Sequence, residues 1–297
     1  MILNVSGRTD IIAFYSTWFL KRYQEGYVDV RNPFSKKMVS RIFFQDVHGI
    51  LFCTKNPIPF LTIMNQIKHP YFFHVTLTPY QQDIEPNVVN KKMIIEAIRM
   101  ISDHIGCERL FLRYDPIFIN AKYTVQYHCK AFERMCRLLE GSVKYIIVSF
   151  LDIYKNVLQN SGYLNLKNIT VEEMKQIGFS FAKIANKYGM VVQTCAEEER
   201  LLECGFVKRD CLDEEWAHIL TGQTKFKRWK ARGRESCQCV QMVDIGAYNS
   251  CKHYCRYCYA NYNEKMIHNN LLEHDKDSSL LLGHIQPDDI IKVRKES

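Results

Sequence analysis

No stretch of this 297-residue chain approaches the roughly eighteen consecutive apolar positions a membrane-spanning helix needs, so no segment reads as a span. The opening run, Met1 to Asp10, lacks both the basic segment and the long apolar stretch of a secretion signal. There is no G-x4-G-K-[ST] phosphate loop, no G-x-G-x2-G dinucleotide fingerprint and no H-E-x2-H helix. Their absence excludes the readings those motifs carry: nucleotide triphosphatase, two-domain dehydrogenase and zinc peptidase. No short internal repeat occurs. Without a secretion signal, the twelve cysteines are expected to be thiols or metal ligands in a reducing cytoplasm rather than disulfides.

What the chain does contain is an alternation of strand-like and helical stretches, the pattern of a parallel sheet covered by helices. Strands are expected at Ile2–Ser6, Ile50–Thr54, Phe72–Thr78, Arg109–Tyr114, Val143–Phe150 and Met190–Thr194, with Val240–Ile245 as a seventh. Helices are expected at Ile11–Tyr23, Pro59–Ile67, Lys91–Ile105, Val125–Leu139, Val171–Tyr188 and Asp213–Thr221. The runs Val28–Arg31 and Val39–Phe44 read as an inserted hairpin turning at Asn32-Pro33. Six or seven such units imply an α/β fold, a full or partial TIM-like barrel. Its body would span 1–236, and a cysteine-rich segment, 237–297, would complete the same structural unit. The length and the hydrophobic content of 47% suit a fold of that size.

Polar residues gather just after these strands. Ser6, Arg8, Thr9 and Asp10 follow the first, Thr54 and Lys55 the second, and Thr76 and Thr78 the third. Arg113 and Asp115 follow the fourth, Ser149 and Asp152 the fifth, and Thr194, Cys195 and Glu197 the sixth. In a barrel these positions share the C-terminal rim, where active sites assemble. Any one of them is equally a helix cap or loop ion pair, as Asp10 before a helix and Asp115 before Pro116 illustrate.

The densest chemical signal is Cys251-Lys-His-Tyr-Cys255-Arg-Tyr-Cys258. Three thiolates spaced C-x3-C-x2-C can hold three corners of an iron–sulfur cube and leave one iron open. The competing reading is zinc, closed by His253 or a distant cysteine, since structural zinc normally takes four protein ligands. His253, set between two of the cysteines, is expected to face solvent.

The spacing, with Tyr257 just before the third cysteine, resembles the signature of radical S-adenosylmethionine (SAM) enzymes. Read together, Arg8-Thr-Asp10, Thr54-Lys-Asn-Pro57, Thr76-Leu-Thr-Pro79, Arg113-Tyr-Asp-Pro116, Thr194-Cys-Ala-Glu197 and the cysteine loop are similar to an uncharacterised prokaryotic domain-of-unknown-function family. That family carries, at its C-terminal end, a cysteine cluster like the one near the N-terminus of radical SAM proteins. The resemblance implies a [4Fe–4S] cluster on Cys251, Cys255 and Cys258, with SAM bound at the open iron and Tyr257 near its adenine. It implies reductive cleavage of SAM and hydrogen abstraction from a substrate, with ferredoxin or flavodoxin as electron donor. Because the motif follows the last strand rather than the first, it further implies a circularly permuted barrel. Arg8, Lys55 and Arg113 would hold an anionic substrate, nucleotide-like or otherwise small, or the SAM carboxylate. Asp10, Asp115 and Glu197 would bind ribose hydroxyls or transfer protons.

Two features stand apart from that loop. Cys195, Cys211, Cys237 and Cys239 could close around a second cluster or a zinc ion, or be scattered thiols packing as small apolar residues. Cys53, Cys129 and Cys136 read as core. The segment Thr224–Arg234 carries six basic residues, Phe226 and Trp229, and no acid. It reads either as a solvated linker or as a nucleic-acid contact. The latter suits a rival function, a metal-stabilised nucleic-acid-binding protein without catalysis. A third possibility is an Fe–S electron-transfer protein.

Overall fold

A computed structural model describes residues 1–194, 199–228 and 237–295. In chain order the strands are β1 (Ile2–Val5), β2 (Tyr27–Asn32), β3 (Ser35–Phe43), β4 (Gly49–Thr54), β5 (Tyr71–Thr76), β6 (Leu110–Ile117), β7 (Tyr145–Phe150), β8 (Val191–Thr194), β9 (Met242–Asp244) and β10 (Ile290–Val293). The helices are α1 (Ile11–Glu25), α2 (Lys91–Ile105), α3 (Val125–Leu138), α4 (Lys155–Gln159), α5 (Ser161–Leu164), α6 (Val171–Lys187), α7 (Glu214–Thr221) and α8 (Glu264–Leu272). The stretch expected as a helix over Pro59–Ile67 forms instead two 3₁₀ turns, Ile58–Thr62 and Met64–Gln66.

Seven strands form one parallel sheet in the order β8-β7-β6-β5-β4-β1-β9. The short β9 is thus inserted beside the first strand, with Ile2 opposite Met242 and Asn4 opposite Asp244. The expected hairpin is present as β2–β3, turning around Pro33 and Phe34, and β10 extends it by pairing parallel to β3. Leu280 and Leu281 are buried, and the Asp29 N–H donates to the Ser279 carbonyl, so the polar tail packs on the body.

Side chains alternate across each strand. One face of the sheet, with Leu3, Val5, Phe52, Phe73, Leu112 and Val148, buries against Ile12 and Phe19 of α1, Ile98 of α2, Phe132 of α3 and Phe181 of α6. On the other face Ile2, Leu51, Phe72, Phe111 and Ile147 pack against Leu212 and against Trp216, Ala217 and Leu220 of α7. Two residues further along each strand, that face turns polar, with Asn4, Cys53, His74, Arg113 and Ser149. The same face therefore offers an apolar floor and, toward the C-terminal strand ends, a polar upper region.

Helix α7 begins where Asp213 accepts the Trp216 N–H and ends at Gly222 in the left-handed conformation. It approaches β4 so closely that a methyl group on Gly49 would lie 2.7 Å from Leu220 Cγ. Trp216 meets Phe72, Phe111 and Tyr145 edge-on at 5.6, 5.0 and 4.9 Å, and Arg209 stacks on its indole at 3.9 Å. Trp216→Ala should therefore destabilise the fold by about 3–5 kcal/mol, measured as a shift in the urea midpoint at unchanged m value.

Candidate cysteine-loop site

Because the sheet is parallel, the junctions after β1, β4, β5, β6 and β7 share one edge. Asp10, at the β1–α1 junction, is 5% exposed and organises its first corner. Its Oδ1 accepts the Ala13 N–H at 3.0 Å and so caps α1. Its Oδ2 accepts the Lys55 backbone N–H at 2.7 Å and the His253 Nε2–H at 2.8 Å. His253 is accordingly buried, with its ring 4.6 Å from Phe14, which corrects the expectation of a solvent-facing imidazole. A carboxylate this deep needs donors, and the histidine supplies one from the cysteine loop.

Glu85 organises the second corner. It lies in the connection between β5 and α2, is 2% exposed, and was not singled out by the sequence pattern. Its Oε1 accepts from Lys55 Nζ at 2.9 Å, from Thr78 Oγ1 at 2.6 Å and from the Tyr257 hydroxyl. Its Oε2 accepts from Lys91 Nζ at 3.1 Å. Burial pushes the Glu85 carboxyl up, but Lys55, Lys91 and the two hydroxyl donors outweigh it and hold its pKa at about 2. Burial opposes the Lys55 charge too, yet Glu85 and Cys255 raise that lysine above its ordinary value. The Tyr257 ring lies in the interior, 5.8 Å from Tyr80, and its phenol anchors the loop to Glu85.

The loop between β9 and α8 is tied down from several directions. Tyr15 of α1 donates to the Ser250 carbonyl at 2.6 Å, and Asn87 Nδ2 donates to the Lys252 carbonyl at 2.9 Å. The Arg256 N–H reaches the Ile84 carbonyl at 2.9 Å, and Asn156 Nδ2 of α4 the Tyr259 carbonyl at 2.8 Å. Asn261 Nδ2 closes the loop on the Cys251 carbonyl at 2.9 Å. At its entrance Asp244 accepts from Ser6 Oγ and from the Gly7 and Gly246 N–H groups, each at 2.7 Å. Gly246 crosses β1 so tightly that a methyl group there would sit 2.0 Å from Ser6 Oγ.

Cys251, Cys255 and Cys258 are thereby brought in beside these two corners. Burial pushes all three thiols up; for Cys251, Asp10 and the other two cysteines push further in the same direction. Lys55 opposes the shift at Cys255 and Cys258. The Ala260 N–H donates to Cys258 Sγ at 3.4 Å. Among the described residues no group of three or more His, Cys, Asp or Glu side chains could hold a metal ion as arranged. The donor chemistry nevertheless fits an iron–sulfur cluster. Three soft donors share one loop, and each pays for ionisation in a buried setting that a bound cation would offset.

The remaining rim residues divide into two groups. Arg113 Nε donates to Asp115 Oδ2 at 3.2 Å, and Ser149 Oγ to Asp115 Oδ1 at 2.5 Å, so the ends of β6 and β7 share one polar cluster. Arg8 is turned toward β9, with Nε 3.4 Å from Asp244 Oδ1 and its guanidinium 5.7 Å from the Tyr248 ring centroid. Glu197 and Cys195 lie outside the described residues. Of the other thiols expected to form a second metal site, Cys237 and Cys239 are buried and in contact. A hydrogen bond from the Cys239 thiol draws Cys237 down to about 7, with burial, Asp210 and Cys211 opposing. Cys211 and Cys53 each pack against the apolar cluster around Trp216, and Cys53 lies in register with His74 on the neighbouring strand. His74 is fully buried, and among the described residues neither ring nitrogen has a hydrogen-bond partner. Burial, with Arg113, lowers it to about 3, so the ring is neutral at physiological pH.

Glu85→Gln would leave two largely buried lysines without their carboxylate, at a cost of about 3–5 kcal/mol at pH 7. Glu85 is depressed from 4.5 to about 2, so its contribution is complete above about pH 4.5 and is lost as pH falls toward 2. The stability gap between wild type and variant, from urea unfolding at stepped pH, should narrow across that window. Gly246→Ala should displace the loop, costing about 1–3 kcal/mol. Native-state titration with a thiol reagent should then find more reactive cysteines than in the wild type.

The family model described as "Domain of unknown function (DUF1848)" matches residues 2–260, nearly the whole chain, and the protein belongs to that family. No curated protein matches it.

Proposed function

We propose that this member of the DUF1848 family is a radical SAM-type enzyme, with Cys251, Cys255 and Cys258 holding a [4Fe–4S] cluster at the C-terminal edge of the sheet. The observation that carries the reading is three thiols on one loop, Cys251 and Cys255 buried and Cys258 half-buried, against Asp10–His253 on one side and Lys55–Glu85 on the other. A bound cluster with SAM would supply one-electron reductive cleavage and, through it, hydrogen-atom abstraction from a substrate. Ferredoxin or flavodoxin would deliver the electron.

The chain's own residues have separable tasks in this reading. Asp10 and His253 are positioning residues: they hold the loop against the β1 and β4 ends and leave the carboxylate fully engaged. Glu85 does the same through Tyr257. Lys55, charged and close to Cys255, contributes positive potential beside the thiolates and favours their ionised state. Arg113, steadied by Asp115 and Ser149, is the cation best set to bind an anionic substrate or the SAM carboxylate from the polar face of the sheet. The sheet itself reads as a partial, permuted barrel. Backbone bonds that carry it past β8, from Val207 to Val192, and from Val240 to Leu212 near β9, support this. A second metal would be held by Cys211, Cys237 and Cys239, and the Cys237–Cys239 contact supports it. Iron with sulfide would mark a cluster there, and zinc a structural ion.

The test is anaerobic purification, reconstitution with iron and sulfide, reduction in the presence of SAM, and quantification of 5′-deoxyadenosine. The wild type should form 5′-deoxyadenosine and Cys255→Ala none. A reducible cluster without product would point to electron transfer instead, and zinc in place of iron in the native protein would overturn the reading.

A further inference from the structure

One wide cleft does not open on the cysteine thiols. It runs along the outer side of β9, between that strand and the β2–β3 turn, and encloses about 1010 Å³. It continues into a second recess of about 400 Å³, and the two share Lys227, Gln241, Val243 and Arg294. Lys225 and Lys295 line the second recess, which contains no acidic residue. In the first, the one carboxylate is Asp244, already engaged by Ser6, Gly7 and Gly246. Lys225, Lys227, Arg294 and Lys295 form no ion pair among the described residues, unlike Arg31, which is bound to Asp289 at 2.5 and 2.7 Å.

Aromatic groups flank this row of cations. Phe34, at the hairpin turn, is 93% exposed and lines the first cleft. Tyr248 and Tyr259 line it further along, and Tyr259 adjoins Cys258 in sequence. An exposed apolar ring has no packing reason to stand at a turn, but beside unpaired cations it provides a face for a base. A concave track of charge suits a flexible phosphodiester chain, whereas a flat bilayer would reach Phe34 but not the recess. Two connected recesses, with cations in both, suit several successive phosphates better than a single nucleotide.

We infer that this groove binds single-stranded nucleic acid, its phosphates along Lys225, Lys227, Arg294 and Lys295 and an unpaired base on Phe34. The inference goes beyond the cluster reading and does not require it, since the groove's cations and rings are independent of metal.

The experiment is fluorescence anisotropy of the full-length protein with labelled single-stranded DNA and RNA oligonucleotides of mixed sequence. With four cations engaged, affinity should fall about 50-fold between 50 and 200 mM salt. The double variant Lys227→Glu/Arg294→Glu should weaken binding about tenfold or more, while Lys130→Glu/Lys183→Glu, on exposed helix faces, should leave it unchanged. Phe34→Ala should weaken oligonucleotide binding about fivefold to a hundredfold and leave binding of an abasic strand unaltered. A preference for DNA or RNA would identify which strand is used. Absence of binding would overturn the inference. So would equal loss in the remote variant, or equal or tighter binding to duplex, polyglutamate or anionic vesicles.

Discussion

One buried carboxylate, Asp10, determines how the functional edge is assembled. Three donors reach it from three separate parts of the chain: the first turn of α1, the backbone after β4, and the histidine of the cysteine loop. A charge at that depth is tolerated only when its oxygens are satisfied, so each donor depends on the position of the other two. The loop is therefore held by a group near the opposite end of the sequence as well as by bonds to its own backbone. Glu85 repeats the arrangement two strands further along the sheet, with lysines in place of an imidazole.

These two carboxylates also shape the electrostatics of the cysteine loop. Thiols in an apolar environment resist ionisation, and nearby Asp10 adds to that resistance at Cys251. Lys55 works in the opposite direction at Cys255 and Cys258, and its own charge is maintained by Glu85. At Cys255, Glu85 and Cys258 push back against Lys55.

Much of this was legible in the sequence, for physical reasons. The strands were visible because parallel strands buried on both faces are nearly continuous apolar runs, and the polar residues ending them fall on one edge by topology. Asp10, Lys55, Arg113 and Asp115 could be picked out for that reason. The 3₁₀ turns after β4 were misread because the apolar residues there have helical spacing. Glu85 was missed since it sits in a loop with no periodicity, and its significance comes from a lysine thirty residues earlier. His253 was misjudged because its sequence neighbours are polar or cysteine, whereas its burial is decided by Asp10, 243 residues away. Long-range pairings of this kind leave no local mark.

The insertion of β9 beside β1 bears on the order in which the molecule can be made. Ser6 and Asp244, bonded across that junction, are 238 residues apart. During synthesis β1 can pair with β4 early, but its other edge stays open until nearly the whole chain has left the ribosome. Closing so long a loop is slow, and it is the step that carries the cysteines into place. A nascent or truncated chain would thus hold most of its sheet and none of its cysteine loop in place, so that loop is assembled after synthesis rather than during it.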